Sequence, residues 1–151
     1  MLRENKIPGS SVLEVIVLIS VISLISVVAI PSYLSYRENK KANCISQKFR
    51  TFAAAIHHYS DVHGDWPEDQ EMGIIPPGLE SELQEFEEPS LIGGHWDWDY
   101  APGSEGPSIC LVDPKSEGEL ILRVDQILDD GNITSGALVY SGKRLVLSLQ
   151  P

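Results

Sequence analysis

The stretch VLEVIVLISVISLISVVAI, residues 12–30, holds 19 residues and a single charge, Glu14. Val, Ile and Leu recur on every side of it at helical spacing, so it has no polar face to turn toward water. At 1.5 Å per residue a helix of this length reaches about 28 Å, close to the hydrocarbon thickness of a bilayer. Ser20, Ser23 and Ser26 interrupt the run. A serine hydroxyl is tolerated in lipid because it bonds back to a carbonyl one turn earlier. Arg3 and Lys6 precede the run and favour a cytoplasmic N-terminus, whereas Arg37, Lys40 and Lys41 follow it, where lysine and arginine meet lipid headgroups. A secretory signal would have a shorter apolar core and an Ala-x-Ala exit, but this run ends in Ile30-Pro31. A plain anchor accounts for the run and leaves Glu14 unexplained, because a carboxylate inside a membrane helix is costly unless paired or protonated.

Outward from the run, charge divides the chain. Residues 1–50 carry seven basic and three acidic side chains, and residues 51–151 carry four basic and nineteen acidic, for a net charge of −11 over 151 residues. The length suits one domain of ordinary size. The acidic balance argues against a nucleic-acid phosphate ligand. Two cysteines are too few for a disulfide-stapled miniprotein or a four-cysteine zinc site.

Past Pro31, which deletes the backbone bond to the Val27 carbonyl and is expected to kink a helix, a second pattern begins. Ala42, Ile45, Phe49, Phe52, Ile56, Tyr59 and His63 recur at alternating spacings of three and four, which is one apolar stripe at helical period. Gly64 and Trp66-Pro67 close it. The pattern predicts one helix over about residues 11–62. Its first half, 10–31, is apolar all round; its second half, 32–63, is amphipathic and packs on a sheet or, alternatively, pairs as a coiled coil.

Residues 64–151 read as an acidic globular domain. A loop covers 64–78, and Leu79 to Phe86 is a short helix candidate. Trp96-Asp97-Trp98-Asp99-Tyr100 alternates at period two, the mark of a strand with aromatics on one face and aspartates on the other. Ser108 to Val112 is a second strand. Ser116 and Glu119 form a capping-box pattern for a helix ending near Leu128. Residues 136–140 and 144–149 read as a hairpin turning at Ser141-Gly142-Lys143. The sum is an α+β fold, a long N-terminal helix packed on a small antiparallel sheet of four strands.

Around Glu14 the sequence reads Lys6-Ile7-Pro8-Gly9-Ser10-Ser11-Val12-Leu13-Glu14, with Pro31 further on. A basic leader ending in Gly, Glu as the fifth residue after it, a long apolar helix and a distant Pro together resemble the N-terminus of type IV prepilin-like proteins. These are the type IV pilins and the pseudopilins of type II secretion. The resemblance covers about the first third of the chain. It implies that residues 1–9 are a leader and that prepilin peptidase cuts after Gly9 and methylates the new amine of Ser10. It also implies that Glu14 pairs with the Ser10 amine of a neighbouring subunit. Ser10 stands where the family usually has Phe or Met, and Pro8 precedes the cut. Gly64-Asp65-Trp66-Pro67, Gly93-Gly94 with Trp96-Asp97-Trp98, and Asp129-Asp130-Gly131-Asn132 also resemble stretches of such proteins of the type II secretion kind. The implied partners are prepilin peptidase, other pilin-like subunits and further copies of the chain in a filament, and an inner-membrane assembly platform. The implied location is the inner membrane, single-pass, with the C-terminal domain extracytoplasmic. A type IV pilus subunit for adhesion, twitching or DNA uptake, and an unprocessed anchored binding domain, are the alternatives.

Several sets of polar residues bear on chemistry. His57, His58, Asp61 and His63 are near in sequence, either as metal ligands or as ordinary helix histidines. Trp96, Trp98 and Tyr100 suit a sugar platform or a core face, the core being the commoner use. Asp125, Asp129, Asp130 and Asn132 cluster at the end of the second predicted helix, where the helix dipole disfavours negative charge by a few tenths of a kcal/mol or more. They read either as a solvated Asp-Gly turn or as oxygen ligands for calcium. Major pseudopilins carry calcium in a C-terminal loop, but this spacing matches neither that loop nor an EF-hand. Cys44 and Cys110 would share an oxidising compartment, with a disulfide between helix and sheet as one outcome and two free thiols as the other. No nucleophile elbow, phosphate loop, zinc-protease motif or dinucleotide fingerprint is present in the sequence. The chain reads as a substrate of enzymes, not an enzyme, and needs no resident organic cofactor.

Overall fold

A computed structural model describes residues 12–100, 106–116 and 118–149. Helix α1 runs over Val12–His63, 52 residues with Pro31 inside it. The chain divides into two units between Arg37 and Glu38. In the first, the large apolar side chains from Val12 to Leu34 are exposed. Ser20, Ser23, Ser26 and Ser32 each donate their hydroxyl to the carbonyl four residues earlier, at 2.7–2.8 Å. The helix is long and apolar enough to cross a membrane.

The second unit holds the core. Strands β1 (His95–Asp99), β2 (Ser108–Val112), β3 (Leu138–Ser141) and β4 (Arg144–Ser148) form one antiparallel sheet in the order β1-β2-β4-β3. Helix α2 spans Gly118–Leu128. The fold is α+β, as the sequence pattern requires. Period-two alternation decides the faces of the sheet. Trp96 and Trp98 on β1 stand opposite Leu111 and Ile109 on β2, which stand opposite Leu145 and Leu147 on β4. The helical stripe meets this face, with Phe49 and Phe52 each edge-on to Trp96 at 4.9 and 5.0 Å between ring centres. Leu120, Ile121 and Val124 of α2 complete the same cluster. The guanidinium of Arg50 on α1 donates to the Ile127 carbonyl at 2.7 Å, placing a cation at the end of α2 where the helix dipole favours one.

Three sequence expectations change. Residues 79–86 are successive turns, not a helix. Only Leu83 N–H to Leu79 O closes a helical-type bond there, and the neighbouring Glu82 and Phe86 amides reach back only three residues. Leu79, Leu83 and Phe86 are nevertheless buried, so the apolar spacing reflects core contact along an irregular backbone. His63 continues the stripe in sequence but is exposed and lies stacked on Tyr59 at 4.0 Å. The β3–β4 turn is tighter than the sequence reading. Ser141 pairs directly with Arg144, so Gly142 and Lys143 alone make the turn, at φ 56° and 66°. Positive φ at both positions is the two-residue geometry that matches strand twist.

The aromatic contact makes a quantitative demand. Phe49→Ala removes a fully buried ring and is expected to cost about 3–5 kcal/mol of stability. Urea unfolding of the full chain in detergent, followed by tryptophan fluorescence, measures it; a cost below about 1 kcal/mol would contradict this packing.

Candidate functional site

Two polar constellations in the second unit carry most of its buried charge. The first lies on the sheet face opposite the tryptophans. Asp97 faces Cys110 across the β1–β2 register, and Arg144 reaches over from β4 to both Asp97 and Asp99, at 2.7 and 2.6 Å. The Cys110 thiol donates to Asp99 Oδ2 at 3.2 Å. Burial and the nearby Asp99 charge raise the Asp97 pKa, against the pull of Arg144. Burial first, then the bond to Asp99, pushes the Cys110 thiol up to about 12, so it stays protonated and unreactive. The arrangement neutralises charge on a sheet face. Its one thiol is held protonated beside Asp99 and is not activated by it.

This geometry bears on the two cysteines. Both are free. Cys44 is exposed on α1, which packs on the tryptophan face, whereas Cys110 belongs to the opposite face and is buried there. The sheet separates them, so helix and sheet are not joined by a disulfide. Cys44 instead lines an open groove of about 370 Å³ with Lys48, Phe52 and Glu85, of which Lys48 and Glu85 form an ion pair at 3.0 Å.

The second constellation is at the end of α2. Among the described residues, Asp125, Asp129 and Asp130 form the group of side chains near enough to share an ion, each offering one oxygen within 4.8 Å of the others. Asp125 is wholly buried on the inner side of α2. Its pKa is raised by burial and then by Asp129 and Asp130; the amides of Gly131 and Asn132 favour its charge without meeting hydrogen-bond geometry. Asp129 Oδ2 accepts from the amides of Ala137 and Leu138, at 2.5 and 3.1 Å. Gly136, at φ 100°, leaves room for that carboxylate, because a Cβ there would collide with it. Asp130 Oδ1 accepts from the Asn132 amide at 2.8 Å. The Asn132 side-chain oxygen accepts from Thr134, from its hydroxyl at 2.7 Å and its amide at 3.3 Å, so Asn132 shapes the turn.

The remaining sequence-derived positions scatter. Glu14 is an exposed residue in the first turn of α1, and Pro31 lies within the same helix. Gly9 and Ser10 lie outside the described residues. Trp96 and Trp98 are buried, which assigns them to the core and not to a sugar platform. His57 contacts Trp66 edge-on, at 5.3 Å between ring centres. Arg144 escaped the sequence reading, although a lone arginine opening a strand that pairs beside two outward aspartates is a signal once the register is known.

No family model, no curated protein and no solved structure matches the chain.

Two measurements follow. One equivalent of iodoacetamide should modify the native chain at about pH 8, on Cys44, and a second only after denaturation; native labelling of Cys110 would contradict its position. The Asp97 pKa is raised in the fold, so above about pH 4, where an unfolded aspartate releases its proton, the folded state holds more of it, and stability falls as pH rises from there through the folded value. Asp97→Asn should flatten that fall in thermal melts, and an unchanged slope would contradict the assignment.

Proposed function

We propose that the chain is a membrane-anchored structural subunit of a type II secretion pseudopilus. It is processed by prepilin peptidase after Gly9, methylated on Ser10, and polymerised through α1. One observation carries the reading. The large apolar side chains of α1 are exposed from Val12 to Leu34, and the one charge among residues 12–30 is Glu14, the fifth residue after Gly9. Such a surface requires lipid or other apolar helices around it. A carboxylate at its head requires a cation, which the α-amine freed at Ser10 supplies on a neighbouring copy. Losing either partner leaves a buried charge alone, so the pair fixes the axial step between subunits.

The second unit fits the outside of such a filament. It is acidic and closes its own core. Among the described residues its four strands, the short helix α2 and the second half of α1 form a small globular part, which favours the pseudopilus over the pilus. In this role the chain is acted on by an enzyme and catalyses nothing, and the assembly platform supplies the energy of polymerisation. The inner membrane holds it single-pass, with the N-terminus cytoplasmic and the globular part outside.

Intact mass tests the reading. Co-expression with an active prepilin peptidase should remove residues 1–9 and add one methyl group. Glu14→Ala should leave cleavage in place while abolishing filament recovery. An unchanged mass, alongside a control substrate that is cut, would overturn the proposal and favour an unprocessed anchor.

A further inference from the structure

We propose that Asp125, Asp129 and Asp130 form a calcium site that ties the end of α2 to the segment leading into β3. The acidic cluster alone would be an ordinary solvated turn. The deciding observation is Asp125, which is wholly buried with no hydrogen-bond partner on either carboxylate oxygen. Its oxygens lie within 4.8 Å of ones on Asp129 and Asp130. The amides of Gly131 and Asn132 lie near enough to favour its charge, but neither completes a hydrogen bond, and a buried carboxylate left so is among the costliest groups a core can hold. The salt bridges of the described residues involve none of the three, and the nearby Arg50 guanidinium is given to the Ile127 carbonyl. The cluster therefore presents three carboxylates to one point at the negative end of a helix.

The donor chemistry selects the ion. All three ligands are carboxylates, with no imidazole or thiolate among them, which suits a hard cation and not zinc or copper. Two oxygens bound to one calcium at roughly 2.4 Å are separated by at most about 4.8 Å, and the three oxygens here lie within that distance of one another. Asp129 and Asp130 each commit one oxygen to backbone amides, which orients the other. Calcium accepts the irregular set that one helical residue and a turn provide, where magnesium demands near-octahedral order. The site goes beyond the filament reading and does not depend on it.

The test uses the full chain in detergent, stripped with chelator and titrated with calcium chloride by calorimetry, with thermal melts in parallel. One calcium per chain is expected, with Kd on the order of 10⁻⁴ M and a melting temperature that rises with calcium. Asp130→Asn, at an exposed position, should weaken binding at least about tenfold. Asp125→Asn should abolish it while melting higher than the wild type in chelator, because it removes the buried charge. Glu87→Gln, at a remote acidic position, should bind as the wild type does. No saturable binding at millimolar calcium would overturn the proposal. So would an equal response to magnesium, which would mean charge screening, or unchanged affinity in Asp130→Asn, a variant that keeps the test decisive even if Asp125→Asn does not fold.

Discussion

The edge-on contact of Phe49 and Phe52 with Trp96 is the constraint on which the second unit depends. It is where the helical period of α1 meets the two-residue period of β1. A ring at each crossing point supplies large buried area in a geometry that aromatic quadrupoles favour. Once Trp96 is fixed inward, Trp98 must follow it and Asp97 must face away. Pairing then passes the same parity to β2 and β4. The polar outer face, with Arg144 between two aspartates, is thus a consequence of the inner one. Slipping β1 by one residue would bury two carboxylates and expose two indoles.

That parity explains what could be read from the sequence. Trp96 to Asp99 and the stripe from Ala42 to Ile56 are local, periodic patterns, and each matches its element. The run from Leu79 to Phe86 has the spacing of a helix, but spacing records which side chains face the core, not how the backbone bonds, and the turns there satisfy the same burial. Arg144 could not be assigned to Asp97 because they are 47 residues apart and meet only through strand order. For Cys44 and Cys110 the question was which side of the sheet each occupies. Parity answers it for Cys110, and the packing of α1 answers it for Cys44.

The acidic group at the end of α2 was legible as a cluster, but the burial of Asp125 was not. In sequence Asp125 looks like one more carboxylate in an acidic chain. Its burial follows from its place beside Val124 and one turn after Ile121 on the inner side of α2, a face that also has to accept the chain returning into β3. Asn132 moved the other way, from candidate ligand to the residue that holds Thr134 and shapes the turn.

The serines of the first unit carry a consequence for how α1 meets its neighbours. Ser20, Ser23, Ser26 and Ser32 each spend their one donor inside their own helix. Their hydroxyls therefore offer no outward donor, only oxygen lone pairs, to favour one azimuth of the helix over another. Over residues 15–32 the outward surface is then aliphatic apart from those lone pairs, and side-chain shape carries most of what could orient it. The groups able to set its orientation lie at the ends: Glu14 at one, and the globular unit that begins at Glu38 at the other.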